Sequence, residues 1–515
     1  MPGASYECMQ QRSVVTQTTP VETEKKFSTT IEQWQQYFFT RDVTPDNRAI
    51  VELQRRAAWV ALALMLQGLN EINHDWYMPY LMPFGSLIPF FLMLGSFVAL
   101  WLAFRPARPQ KQTTKITRNH PTRWQRFILI GSLLFALVGL VQFGHIVILL
   151  FQPPEFSNDG TALDTNAAVL LLEGRNPYAD SNMLDMYRQF PLEPNWTTPL
   201  RTGQFSNRLD YPSIAEFRSV LDTALKAGVA PEFESKVSYP ALSFLTIVPF
   251  ALFKNYNVLP FYLCSYLVLI VIAWRFARPE LRPWVLLLSV ANVPMWASGM
   301  GGNLDLFYTL LIVLTWLMRD YRWRSAIFLG LALASKQLAW FFIPFYAIMI
   351  LRIYGWKECI YRLAIGGILG LAINLPFILW NPQAFVAGVL APVADPMFPL
   401  GVGLVGLSIT HLIPYFPEWI YKVLEASTML VSLLVYWRIC RKYPESAMLF
   451  AVLPLFFAWR SLSSYFYCVA YPILVLFTAH IKHAHKTAEN TNAPVAPTRS
   501  GSIYTGVRIK APAPV

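Results

Sequence analysis

The sequence predicts an all-α fold: a polytopic transmembrane bundle of about 11 to 13 spans carrying one large helical outer loop. Three observations predict it. Apolar residues make up 55% of the chain and charged residues only 14%, whereas a soluble protein needs roughly a quarter of its residues charged to wet its surface. The apolar residues are clustered. Stretches 82–104 and 127–151 carry no formal charge and are long enough to cross about 30 Å of hydrocarbon as helices. The basic residues sit beside such runs, so the net charge of +12 reads as positive-inside bias rather than as a nucleic-acid surface.

Residues 1–50 are polar, with no hydrophobic core near Met1. No cleavable signal is expected, and the first span serves for insertion. The segments 1–50 and 481–515 read as solvated cytoplasmic tails. Between them, 51–126 holds two spans and a basic linker, and 127–480 is the main membrane domain. The first spans are placed near 57–71, 80–104 and 127–151. The linker carries Arg105, Arg108, Lys111, Lys115, Arg118, Arg123 and Arg126 without one acidic residue, which assigns it to the cytoplasm. The N-terminus is then cytoplasmic and residue 152 emerges outside a plasma membrane. The segment 152–238 has the opposite balance, twelve acidic residues against seven basic, as an exported loop tolerates. A short amphipathic helix is expected at Thr165–Leu172, and two more near 183–190 and 213–228. A loop with its own helices is a functional platform more often than a connector.

Beyond Tyr239, where the chain returns to the bilayer, apolar runs lie near 239–253, 258–276, 283–299, 304–318, 325–351, 363–381, 418–437, 446–459 and 466–480. The run 325–351 is expected to be a hairpin broken at Lys336, helped by Pro344, and 383–416 is expected to stay outside. Charge alternation leaves the parity around 254–282 open. The five cysteines are scattered and read as packing residues and free thiols. No Walker loop, zinc spacing, nucleophile elbow or Rossmann fingerprint occurs, which argues against ATP-driven transport and soluble nucleotide chemistry. Nothing in these residues calls for a metal or cofactor.

Four groups could carry chemistry. Asp159 and Asp164, in Asn158-Asp-Gly-Thr-Ala-Leu-Asp-Thr165, follow the third span, where a carboxylate can take a proton from an attacking hydroxyl. The structural alternative is an Asx-turn, with Asp164 or Thr165 capping the next helix. Lys336, in Ala334-Ser-Lys-Gln-Leu-Ala-Trp340, is a cation at membrane depth, which marks a ligand or partner unless it snorkels. Gly299-Met-Gly-Gly-Asn-Leu-Asp305 is a polar break whose Asn303 and Asp305 could meet sugar hydroxyls, or a plain interhelical turn. Arg460, followed by Ser461-Leu-Ser-Ser-Tyr-Phe-Tyr467, offers a fork to phosphate beside rings suited to a sugar face; an interfacial aromatic belt is the structural alternative.

These residues resemble the GT-C superfamily of integral-membrane glycosyltransferases, and within it the polyprenol-phosphate-mannose-dependent mannosyltransferase-like family. The resemblance rests on the early Asp of a long first outer loop and on Ala167-Ala168, Leu171-Leu172-Glu-Gly174-Arg-Asn176-Pro177-Tyr178. It extends to the Gly-Gly-Asn-Leu-Asp break and to Ser335-Lys336-Gln337 about thirty residues later. It covers roughly 127–480. It implies transfer of a sugar (mannose or another hexose or pentose) from a polyprenyl phosphate to a lipid or glycan acceptor of the cell envelope. Under it Asp159, with Asp164 second, matches the catalytic carboxylate. Lys336 matches the lipid-phosphate cation and Arg460 matches it more loosely, while Gln337, Asn303, Asp305 and Tyr178 fall in the substrate-binding motifs. The family's middle loop has Gly-Gln before its Asn; this chain has Gly301-Gly302-Asn303. The rival readings are a polytopic transporter or lipid flippase, with Lys336 as a pathway charge, and a non-catalytic scaffold.

Overall fold

The structure, a computed structural model, describes residues 36–40, 42–44, 47–72, 87–105, 117–118, 122–154, 156, 158–190, 192, 196–229, 232–467 and 469–480. The expected tails at 1–35 and 481–515 and most of the basic linker lie outside the described residues. The protein is mostly helical. Five helices are long and apolar enough to cross a membrane: Arg123–Leu149, Leu259–Phe276, Gln337–Tyr354, Trp356–Trp380 and Glu418–Ile439. Their outer surfaces say what surrounds them. Arg123–Leu149 exposes Leu133, Leu134, Leu137, Leu140 and Val141, and Trp356–Trp380 exposes Ile360, Ile368, Leu371 and Leu379. Water does not tolerate so much contiguous apolar surface; lipid does.

Several apolar runs are not single helices. The run 239–253 folds as Leu242–Leu245 and Val248–Leu252, each too short to cross a bilayer. The run 283–299 divides into Arg282–Val290 and Val293–Met300, because Pro294 cannot continue a ladder from the preceding turn. The hairpin at 325–351 breaks where expected. Arg322–Ser335 stops at Lys336, whose backbone is extended, and a 3-10 turn over Gln337–Phe342 leads into Ile343–Tyr354 with Pro344 in its first turn. One expectation needs correction at the N-terminal side. Phe38 and Phe39 are buried edge-on against Trp284, and Trp284 Nε1 donates to the Phe38 carbonyl at 2.8 Å. The end of the expected tail is therefore packed. Asp42–Val43 also pairs antiparallel with Thr117–Arg118 of the basic linker.

The hydrophilic segment 152–238 builds its own small core. Phe156, Leu163, Met186, Phe190, Phe217 and Phe233 pack together with Phe398 from the 383–416 segment. Its main helices are Asp159–Leu172, Met183–Gln189 and Ile214–Ala227, the last opened by a Ser213–Glu216 capping box. The first begins six residues earlier than expected and is not amphipathic, since Gly160 through Ala168 are all buried. Asn158, rather than Asp164 or Thr165, is its N-cap.

A narrow ribbon ties three distant segments together. Pro199 bridges Phe233, Leu200 bridges Met397, and Leu400–Gly401 pairs in parallel with Arg460–Ser461. The Arg201 amide adds a bond to the Pro396 carbonyl at 2.7 Å, and the Val402 amide one to the Ser461 carbonyl at 2.8 Å. This ribbon brings Thr198 and Arg460 to the start of the Asp159–Leu172 helix.

Candidate functional site

The site begins at the N-cap. Asn158 accepts the Thr161 amide at 2.8 Å and donates its own amide to the Gly301 carbonyl at 2.7 Å. Thr161 Oγ1 donates to the Gly302 carbonyl at 2.7 Å. The glycine-rich break therefore docks on the first turn of this helix. Gly302 has φ +63°, and a Cβ there would stand 3.3 Å from Leu259 and 3.5 Å from Thr161. Glycine suits both the backbone and the contact. Asn303, next in the turn, donates its amide to the Ser298 carbonyl at 3.0 Å.

Asp159, the first residue of the helix, is half-buried. The Thr198 hydroxyl and the Gly160 and Thr198 amides face its carboxylate, and Arg460 attracts it; these favour the charged form. Burial outweighs them and holds the carboxyl above its usual range. Arg460 is half-buried, and its Nη1 is buried without a hydrogen-bond partner among the described residues. No carboxylate lies within 4 Å of it among the described residues. Tyr211, packed on Phe217 and Phe398, is within electrostatic reach of both Asp159 and Arg460. Asp159 and Arg460 thus form a loosely coupled pair with polar capacity in reserve.

Asp164 points elsewhere. It is 1% exposed and accepts from Ser243 Oγ at 2.8 Å, while its Oδ2 is buried without a partner. Burial raises its pKa to about 7 against the pull of Ser243 and Lys336. Lys336 is itself buried and bonds Asp305 Oδ1 at 2.6 Å. Its Nζ lies 5.2 Å from the Tyr239 ring centroid and 5.5 Å from that of Tyr308. It does not snorkel: the pair is closed inside protein and flanked by rings.

Two further motif residues serve the backbone. Tyr178, wedged among Phe244, Phe377 and Phe385, donates to the Tyr239 carbonyl at 2.8 Å. Gln337 donates to the Ser238 carbonyl and to the Val389 carbonyl, the latter at 2.9 Å. Among the sequence candidates, Asp159 and Arg460 come together on one side and Asp164, Asp305 and Lys336 on the other. Tyr178 and Gln337 converge on the chain between them. Sequence reading missed Thr198, Tyr211, Ser243 and Tyr239 as site residues. Thr198, Tyr211 and Ser243 carry no motif; Tyr239 was visible only as the Tyr-Pro step closing the hydrophilic segment.

No protein family, curated protein or solved structure matches the chain.

Proposed function

We propose that the protein is a GT-C-like membrane glycosyltransferase that moves a sugar from a polyprenyl-phosphate donor to a hydroxyl of a lipid or glycan acceptor. The reaction takes place at the outer face of the plasma membrane, with the 152–238 segment outside and the shorter apolar helices completing the set of spans. The observation that carries this reading is the Asp159–Arg460 pair: a carboxyl held above its usual range faces a guanidinium with a buried, unused N–H. A base and a cation able to accept another anion are the two elements such a transfer needs.

The acceptor oxygen attacks the anomeric carbon as its proton passes to Asp159. The bond from that carbon to the phosphate oxygen breaks, and the electron pair leaves with the polyprenyl phosphate. Arg460 offsets the charge that develops on the leaving group; its planar fork suits phosphate oxygens. Lys336 is compensated by Asp305, so its charge reaches the phosphate only as part of a neutral pair. Asp164, whose carboxyl burial pushes up to about 7, stands on the Lys336–Asp305 side as a second carboxyl of the proposed site.

The test is transfer of labelled sugar in vesicles holding the purified protein, a polyprenyl-phosphate donor and cell-envelope lipid or glycan acceptors. The wild type should move label from the lipid-linked donor and not from nucleotide sugars. Asp159→Asn should cut the rate by about 10²–10⁴-fold, the usual worth of a general base, with unchanged thermal stability. No transfer by wild type from any polyprenyl-phosphate donor would overturn the reading.

A further inference from the structure

Segments far apart in sequence end on one short stretch of chain, Ser238–Ala241. Tyr178 bonds the Tyr239 carbonyl, Gln337 bonds the Ser238 carbonyl, and Asn374 Oδ1 accepts the Ala241 amide at 2.8 Å. Pro240 fixes its own φ between them. Side chains from three separate helical elements thus immobilise four residues. Such over-determination holds a side chain in place more firmly than connecting two helices requires.

The side chain it holds is Tyr239. One face of its ring lies against Lys336 Nζ at 5.2 Å. Its hydroxyl reaches the first turn of the Asp159–Leu172 helix, where a Cβ on Gly160 would stand 3.0 Å from Tyr239 Oη. Glycine at 160 leaves that space to the phenol. The Oη makes no hydrogen bond among the described residues, although Asp159, Asp164, Asp305 and Tyr465 all act on it electrostatically. A cation placed there would be drawn into an ion pair by one of three carboxylates. A phenol stays neutral, keeps its proton, and remains available as a donor. The ammonium against its ring face draws electron density from the ring and strengthens the O–H as a donor.

We propose that Tyr239 is a ligand-binding residue of this site, its hydroxyl donating a hydrogen bond to a phosphate oxygen of the polyprenyl-phosphate donor between Asp159 and the Lys336–Asp305 pair. The proposal rests on the reading of the protein as a polyprenyl-phosphate-dependent transferase. It divides the phosphate between two donors, the Arg460 guanidinium and the Tyr239 phenol, and gives Tyr178 and Gln337 a positioning role toward the latter.

The experiment measures binding of a polyprenyl phosphate, bearing no sugar, to the full-length protein in lipid nanodiscs, for wild type and Tyr239→Phe. Phenylalanine keeps the ring against Lys336, so a purely structural role predicts no change. Loss of a hydrogen bond to a charged group should weaken binding by about ten- to a hundredfold, and the donor KM in the transfer assay should rise with it. Wild-type affinity in Tyr239→Phe, with the wild type binding and transferring normally, would overturn the Tyr239 assignment and leave the proposed function standing. A wild-type protein that neither binds polyprenyl phosphate nor transfers sugar would overturn both. A folding defect is identified by thermal unfolding, and Gly160→Ala, whose Cβ would stand 3.0 Å from Tyr239 Oη, then repeats the binding test by crowding the hydroxyl; wild-type affinity there would overturn the assignment.

Discussion

Lys336 and Arg460 are both cations set beside a carboxylate and among aromatic rings, yet the protein uses them differently. Lys336 forms a contact ion pair with Asp305 at 2.6 Å, both side chains are buried, and two tyrosine rings flank it. Arg460 faces Asp159 without touching it, and keeps one buried N–H unspent. The first arrangement is complete; the second has room for another partner. A closed ion pair in a low-dielectric interior holds two helices in register, because separating its members leaves an uncompensated charge. An open pair keeps a buried N–H unspent, and under the proposed function the anion and hydroxyl of the substrates would take it up.

The comparison can be broken at either end. The largest effect should follow Asp159→Asn, which removes the proton acceptor from the open pair and leaves thermal stability intact; a variant that transfers at the wild-type rate removes Asp159 from the chemistry. Next comes Asp305→Asn, which strands the buried Lys336 and should cost about 3–5 kcal/mol of stability. The double variant Asp305→Asn/Lys336→Met should regain most of that loss in thermal unfolding. If the single change leaves the unfolding temperature where it was, the pair is not the structural clamp described here. Arg460→Gln should raise the donor KM by about ten- to a hundredfold and change the unfolding temperature little, the inverse of the Asp305 result. Equal responses at the two cations would dissolve the distinction between them.

A further effect, read as a pH slope, concerns Asp164. Unfolded, it titrates near 3.8; folded, near 7. Between those values the folded protein holds a proton that the unfolded chain has released, so stability falls as pH rises from about 4 to about 7 and levels off above. Asp164→Asn should make this slope shallower by one proton. Glu234, which burial also pushes to about 7, keeps its own contribution in both proteins. Identical slopes in wild type and variant would mean that Asp164 is ionised in the folded state.

The membrane class was legible because apolar runs and charge gaps are local properties, and the break at Lys336 because a lone cation interrupts an apolar run, with Pro344 eight residues on. The site was legible only in outline. Asp159 and Arg460 stood out by type and setting, but their separation is set by the ribbon, which pairs residues some sixty and two hundred positions apart. No window of sequence carries that information. The helix start at Asn158 differs from the expected one because Asn158-Asp-Gly160 reads as an Asx-turn, and because the cap is chosen by its second bond, to Gly301, which lies on a distant segment. Tyr178 and Gln337, read from the sequence as substrate-binding positions, bond the Tyr239 and Ser238 carbonyls. What the sequence could not say is that they hold the backbone there.

The ribbon also fixes an order of events in time. Its strands come from residues 199–200, 397–401 and 460–461, so a growing chain can insert most of its helices while Arg460 is still unsynthesised. Helix insertion depends on local contacts and proceeds early; the ribbon closes large loops and must come late. Chains stopped before residue 460 would therefore hold their apolar helices without the ribbon closed. The Asp159 carboxyl meets its cation only in a chain that has been made nearly to its end.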